Sequence, residues 1–427
     1  MKLTLKNIGS IRDATIEING ITVIAGENNT GKSTVSRALF TALNGFYQIE
    51  DKIQSERINE IQRLLMLLSP NSKNRLSTIR ISDIQEISKN ILNNIDLYRK
   101  NAETLKNDLI KVFSNCDETF KEYANDAHID SAISRINAAL AISDLDLMKF
   151  ILEKKLNAEF NGQFSNIFSN EAGEITLELT HWISTISVKD NHVINIKNDS
   201  GLETEAIYLD NPLILDEIQV LCQSFIIQEN DMEHSEHLMK KIRSSNNANL
   251  VEEITVNHKL KTIYHKLANI CNGGIIKDKD KRSGFQYKKF GSEKKLDVRN
   301  LSTGLKSFAI IEILLRNVSL DYNGTMILDE PEIHLHPEWQ LLFAELIVLI
   351  HKEFHMHILI NTHSPYFLNA IEVYTMEYDV DSKCKYYLSS AKNEFSYLED
   401  VTEHIESIYS KLARPLQLLE NERHLHD

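Results

Sequence analysis

The residues best placed to do chemistry are Gly26-Glu27-Asn28-Asn29-Thr30-Gly31-Lys32-Ser33-Thr34. A glycine, four residues and then Gly-Lys-Ser is the spacing of a phosphate-binding loop. An apolar run, Ile21-Thr22-Val23-Ile24-Ala25, precedes it. Val35, Ala38, Leu39, Ala42 and Leu43 follow at helical spacing, with Gly45 read as the stop. In such a strand–loop–helix, successive backbone N–H groups curl round a polyphosphate and the positive end of the helix faces it. The candidate contacts to a nucleoside triphosphate are Gly26, Asn28, Asn29, Thr30, Gly31, Lys32, Ser33 and Thr34. Lys32 has the reach for the β- and γ-phosphates, and the Ser33 hydroxyl suits Mg²⁺.

Three later stretches carry matching chemistry. Thr325-Met326-Ile327-Leu328-Asp329-Glu330-Pro331-Glu332 delivers two carboxylates from the end of an apolar run. His357-Ile358-Leu359-Ile360-Asn361-Thr362-His363-Ser364-Pro365 does the same for a histidine. Continuous apolar runs belong to strands buried on both faces of a parallel sheet, whose ligands gather at the carboxyl ends. Asp329, Glu330 and His363 are therefore expected beside the phosphates. Asp329 would complete the Mg²⁺ coordination with Ser33, and Glu330 would polarise an attacking water. His363 would contact the γ-phosphate. The third stretch, Leu301-Ser302-Thr303-Gly304-Leu305-Lys306, opens a helix through Ile310, Ile313, Leu314 and Val318.

The elements around these groups follow from periodicity. Residues 2 to 25 read as strands, with a turn at Asn19-Gly20. From 50 to 160 the pattern is helical, broken at Ser69-Pro70-Asn71-Ser72. Ile84, Ile87, Ile91, Ile95, Tyr98, Ala102, Leu105, Leu109 and Val112 step by threes and fours, predicting one amphipathic helix about 45 Å long. A second is predicted from Asp144, as N-cap, to about Leu156. Strand alternation returns at Ile175-Leu179, Val193-Ile196 and Ala206-Leu209. Helices are expected over 213–228 and 250–271, stopped by Gly273-Gly274. A hairpin follows over Phe285–Phe290 and Lys294–Val298, turning at Gly291-Ser292. Beyond His363 the chain reads as strands Ile371–Tyr378 and Lys385–Leu388 and a closing helix.

At 42% hydrophobic and 25% charged, the 427 residues can bury a sizeable core. No apolar run reaches the about 18 residues of a membrane span, and no signal-peptide pattern opens the chain. Cys116, Cys222, Cys271 and Cys384 form no CxxC pair, so neither disulfides nor zinc are indicated, and a cytoplasmic setting is expected. His351, His355 and His357 straddle a helix-to-strand junction and should point apart, while His234, His237, His424 and His426 are expected to be exposed. The net charge of −14 argues against DNA binding by the whole surface. Between Lys277 and Arg299, however, nine basic residues face four acids, which reads as a solvated hairpin face or a nucleic-acid strip.

Together these motifs resemble an ABC-type ATPase head of the SMC/RecF/OLD class, over the first 50 residues and about 275 to 420. The resemblance implies an α/β fold, a mixed N-terminal β lobe joined to a parallel P-loop core, with a helical insertion arm. Its parts would be 1–50 with the P-loop, 51–165 as the insertion, 166–272 returning to the head, and 273–427. Asn7-Ile8-Gly9-Ser10-Ile11-Arg12-Asp13-Ala14 resembles the class's first-strand motif, with Gly9 where a basic residue is common. In the P-loop, Asn29 stands for a frequent glycine, and Asn tolerates a left-handed backbone. Leu301-Ser302-Thr303-Gly304 resembles the ABC signature, with Thr303 in place of a glycine. By resemblance, Ser302 and Gly304 would contact a γ-phosphate held by a partner subunit, in a head-to-tail homodimer around two ATP and Mg²⁺. Glu332-Ile333-His334-Leu335-His336-Pro337 would lie near that seam. Gln48, Gln219, Gln223 and Gln228 are all candidates for the Q-loop glutamine. No zinc hook is seen, and the 64 residues after His363 are too few for a nuclease domain. Such a head is similar to the stand-alone ATPase subunits of bacterial anti-phage systems, where a separate chain is the nuclease or toxin. A RecF/SMC-type DNA-repair ATPase and an ATP-bound scaffold are the alternatives.

Overall fold

The computed structural model describes residues 1–68, 80–116, 127–198, 201–217, 232–243, 261–277, 285–317, 319–320 and 322–426. They divide into two units, Met1–Tyr47 with Leu152–Asp427, and Gln48–Ile151.

The first unit is built on an 11-stranded mixed sheet. The hairpin β1 (Lys2–Ile8) and β2 (Ile11–Glu17) leads to the wholly buried β3 (Ile21–Gly26), and α1 (Lys32–Phe46) follows the P-loop. Gly45 does not stop α1, which runs on to Phe46. A Cβ at Gly45 would lie 2.4 Å from Leu152 Cδ2, so this glycine serves close packing. The antiparallel side of the sheet continues through β4 (Gly173–Leu179), β5 (Trp182–Lys189) and β6 (His192–Asn198). The other side is parallel. It holds β7 (Ala206–Leu209), β11 (Thr325–Asp329), β12 (His357–Thr362), β3 and β13 (Lys385–Lys392), the last paired to β14 (Phe395–Asp400). Apolar runs buried on both faces thus form a parallel core, as their composition requires. Register sets Ile24 opposite Asn361, Asn361 opposite Asp329 and Gly26 opposite Ser389, so three strand ends share one edge.

A three-stranded sheet of β8 (Gly273–Lys277), β9 (Phe285–Lys289) and β10 (Lys295–Asp297) stands separately. The expected hairpin and its turn are present, with Gly291 at φ 71°. The helices of this unit are the C-terminal part of α7 (Asp144–Phe160), α8 (Ile214–Glu217), α9 (His234–Arg243), α10 (Lys261–Cys271), α11 (Thr303–Arg316), α12 (Pro337–Phe354), α13 (Pro365–Glu377) and α14 (Glu406–His426). Phe308, Phe343, Phe367 and Ile350 bury their side chains in one cluster with Val23, Leu328 and Ile360 of the parallel strands.

The second unit comprises α2 (Ile49–Leu68), α3 (Ile81–Asn93), α4 (Ile95–Lys100), α5 (Ala102–Cys116), α6 (Ala127–Ala141) and the start of α7. The single long helix expected over Ile84–Val112 is three helices, broken at Asn94 and Asn101. Asn101 Oδ1 accepts from the backbone N–H groups of Glu103 (3.1 Å) and Thr104 (3.3 Å), capping α5. Asparagine side chains compete with the helical ladder in this way. Ile84, Ile87, Ile91, Tyr98, Leu105 and Leu109 nonetheless share one core, so their periodicity reported burial rather than continuity.

Two further expectations are corrected. Ser143, not Asp144, caps α7, its Oγ accepting from Asp146 N at 3.1 Å, and the helix reaches Phe160. The strand expected at Ile371–Tyr378 falls largely in α13: Ser364 Oγ accepts from Phe367 N at 3.2 Å, Pro365 begins the helix, and Phe367, Leu368, Ile371 and Thr375 are buried at helical spacing. The break at 69–72, Gln219, Gln223, Gln228 and most of the helices expected over 213–228 and 250–271 lie outside the described residues.

Candidate functional site

The P-loop is shaped by three backbone demands. Asn29 (φ 61°) and Gly31 (φ 87°) are left-handed, a conformation that glycine and asparagine tolerate best. Gly26 is required by close approach, because a Cβ there would lie 2.3 Å from Ser389 Oγ. Thr30 braces the loop from within, its hydroxyl donating to Glu27 O at 2.8 Å and hydrogen-bonding Ser389 Oγ. Ser389 belongs to β13, so a strand remote in sequence supports the loop. Asn28 and Ser33 are exposed and Thr34 half-buried.

Lys32 is buried, and its Nζ donates to the carbonyls of Gly26 (3.0 Å) and Glu27 (2.8 Å). Glu330 Oε1 lies 3.9 Å from the same nitrogen. Burial lowers the lysine's pKa, opposed by the charges of Glu330, Asp329 and Glu332. Glu330 Oε1 also lies 3.3 Å from His363 Nδ1. Lys32, Glu330 and His363, far apart in sequence, thus converge at the carboxyl edge of the sheet. Glu330 has φ 50°, a left-handed backbone unusual for a side-chain residue, and its N–H donates to Asn361 O at 2.9 Å.

Asp329 is held on both oxygens. Oδ1 accepts from Asn361 Nδ2 at 2.9 Å and Oδ2 from the Tyr208 hydroxyl at 2.9 Å. Asn361 Nδ2 also donates to Ser36 Oγ at 2.8 Å, tying this pair to α1. Glu332 is buried. Its Oε1 accepts from Thr362 Oγ1 at 2.5 Å and His363 N at 3.2 Å, and burial pushes its carboxyl pKa up. Asn361 carries a sequence signal, a polar residue inside an apolar strand. Tyr208, Ser389 and the contacts of Glu332 have none, since each depends on strand order.

Ser302 and Gly304 do not join this group. They open α11 beside His334, His336 and Trp339, around a shallow recess. A Cβ at Gly304 would sit 2.8 Å from His334 O, so the helix end and the stretch after Glu332 pack tightly. Gln48 is exposed just ahead of α2, with φ 47°.

His234 and His237, expected to be exposed, are 7% and 6% exposed and bonded to carboxylates of Glu159, Asp210 and Glu205. Buried imidazoles need such partners, and these come from elements no local pattern connects. His351 Nδ1 is hydrogen-bonded to Met356 O at 2.7 Å, whereas His355 closes α12 in a left-handed conformation. On the basic hairpin Lys289, Lys294 and Lys295 are exposed, and Lys288 pairs across the strands with Lys295. Arg299 is bound to Asp297, and residues 278–284 lie outside the described residues.

The oxygen donors of Ser33 and Asp329 suit a hard cation such as Mg²⁺, which takes one or two protein ligands beside phosphate. Among the described residues no helix is long and apolar enough to cross a membrane.

The family model described as "AAA domain, putative AbiEii toxin, Type IV TA system" matches residues 21–369. No curated protein matches the chain. Among solved structures, the chain is similar to an SMC head domain from Thermotoga maritima, at 12% identity over 94% of this chain and 98% of that one, TM-score 0.41. An SMC head bound to the C-winged helix domain of ScpA is similar at 13% identity over 93% and 96%, TM-score 0.43. An ATP-binding cassette of an ABC transporter in its ADP conformation is similar at 11% identity over 96% and 95%, TM-score 0.31.

Proposed function

The chain belongs to this AbiEii-type AAA-domain family, and from that premise we propose that it is an ABC/SMC-like P-loop ATPase that hydrolyses ATP to drive a head-to-tail dimer switch. The observation that carries the reading is the meeting of Lys32, Glu330 and His363 at the P-loop edge.

In this reading the backbone of Gly26–Thr34 cradles the phosphates and Lys32 turns from the loop carbonyls to the β- and γ-phosphates. Mg²⁺ on Ser33 and Asp329 would neutralise charge developing on the phosphate oxygens. Glu330 takes a proton from water as the water oxygen bonds to the γ-phosphorus. The bond from that phosphorus to the bridging oxygen breaks, leaving ADP and phosphate. His363 contacts the γ-phosphate and, through its position against Glu330, reports whether it is present. Ser302 and the backbone at Gly304 close over the γ-phosphate of a second copy. Two triphosphates bridged by donors from both subunits hold the dimer, and phosphate release frees it.

The biological output we propose is control of a separate effector, a nuclease or toxin, in anti-phage defence. The toxin and type IV toxin–antitoxin terms of the family description support the defence setting, and the separate effector is our inference from the resemblance to stand-alone ATPase subunits. Phosphate release by wild type and Glu330→Gln, with light scattering in ATP, tests the switch. Wild type should turn over, and Glu330→Gln should be slower by about 10²-fold or more and accumulate as dimer. Equal, negligible rates would instead mark an ATP-bound scaffold.

A second reading, duplex DNA bound across the dimer, draws on Lys288, Lys289, Lys294 and Lys295 with the 58% exposed Phe290. Its affinity would fall steeply with salt and weaken when these lysines are neutralised. The solvated-face reading predicts neither.

A further inference from the structure

Tyr208 is 1% exposed, and its hydroxyl donates to Asp329 Oδ2 at 2.9 Å. Its ring stacks on the His234 imidazole, with centroids 4.2 Å apart and planes inclined by 26°. His234 is clamped at both nitrogens, Nδ1 to Glu159 Oε2 at 2.8 Å and Nε2 to Asp210 Oδ2 at 3.0 Å. The four elements β11, β7, α9 and α7 therefore form a continuous chain of contacts ending on one carboxylate.

We propose that Tyr208 is a positioning residue for Asp329, and that His234, fixed by Glu159 and Asp210, holds the Tyr208 ring in register with it. The inference rests on the reading of Asp329 as a Mg²⁺-coordinating group. A carboxylate that accepts one hydrogen bond on each oxygen, from Tyr208 and Asn361, keeps a single orientation with lone pairs left for the ion's shell. Without the hydroxyl, Asn361 alone would fix it, and the carboxylate could rotate. Facing a carboxylate oxygen, which only accepts, the Tyr208 hydroxyl is the donor of this bond. On His234, burial opposes the charged form, but the bonds to Asp210 and Glu159 outweigh it and raise its pKa to about 9. A ring held at both nitrogens cannot flip, and the face under Tyr208 is constant.

The experiment measures ATP affinity in EDTA and Mn²⁺ affinity of the ATP complex by electron paramagnetic resonance. Wild type, Tyr208→Phe, His234→Gln and the double variant are compared, with thermal melts to verify folding. Tyr208→Phe keeps the ring and should leave metal-free ATP affinity within about two-fold while weakening Mn²⁺ about ten-fold, the scale of one hydrogen bond to a charged group. His234→Gln should shift Mn²⁺ affinity in the same direction, and the double variant should be no weaker than Tyr208→Phe. Unchanged Mn²⁺ affinity in a folded Tyr208→Phe overturns the inference. Additive losses in the double variant overturn the part played by His234. Wild type that binds neither ATP nor Mn²⁺–ATP overturns the underlying reading of the site instead.

Discussion

Glu330 Oε1 and His363 Nδ1 stand 3.3 Å apart, although their residues close different strands, β11 and β12. The Glu330 N–H donates to Asn361 O at 2.9 Å, and Glu332 Oε1 accepts from His363 N at 3.2 Å. These bonds fix the backbone of both residues, so the imidazole and the carboxylate that would take the water's proton start from neighbouring anchored positions.

His363→Ala should therefore impair turnover more than binding. We expect kcat to fall by about 10²-fold, the scale of a misplaced general base or lost charge stabilisation, with ATP affinity changed only a few-fold. Steady-state phosphate release with calorimetric ATP binding checks the split.

Lys32→Ala should act on binding itself. If the buried ammonium turns to the phosphates as proposed, removing it costs charge-assisted hydrogen bonds, and ATP affinity should fall by about 10- to 100-fold. Calorimetry in EDTA reads this without any contribution from the metal. Binding as tight as in wild type would contradict the P-loop assignment.

Stability should depend on pH through His234. Its folded value of about 9 lies above the ordinary histidine value of 6.5, so its pairing stabilises fully below about pH 6.5 and is lost as pH rises through about 9. The groups facing it are Glu159, Asp210 and the rings of Tyr208 and Phe40, with Arg37 acting on Asp210. Asp210, though desolvated, is pulled below its ordinary value by His234, so its share is present above about pH 4 and lost in acid. Thermal melts from pH 6 to 10 should decline for wild type and be flatter over that range for His234→Gln.

The second unit offers an independent check. Arg57 is 6% exposed and donates to Ala139 O (3.3 Å), Ile142 O (2.7 Å) and Asp144 Oδ1 (2.6 Å). Arg57→Ala leaves those acceptors without their donor and should destabilise this unit by about 2–4 kcal/mol. Urea unfolding with limited proteolysis, read at 48–151, measures it.

The loop from Gly26 to Thr34 was legible between its strand and helix, because its glycines and lysine lie within nine residues and its backbone geometry is local. Asp329, Glu330 and His363 were legible for a related reason: strands buried on both faces are apolar throughout, so polar groups at their ends stand out. What periodicity could not convey was contact across elements. The steps from Ile84 to Leu109 marked a largely buried face but not its breaks at Asn94 and Asn101, and beyond the breaks the same stepping fails at Ala102 and Val112, which are exposed. Ile371–Tyr378 has the apolar content of a strand, but the Ser364 cap and Pro365 start a helix that runs through most of it. Local patterns also left His234 and His237 on the surface. Only the strand order that puts β7 beside β11, and β13 beside β3, brings Tyr208 to Asp329 and Ser389 to the P-loop. Sequence determines which groups can bind a triphosphate, because that depends on side-chain and backbone chemistry within a few residues. Tertiary structure decides which way those groups point, because orientation is set by hydrogen bonds and stacking between residues hundreds of positions apart.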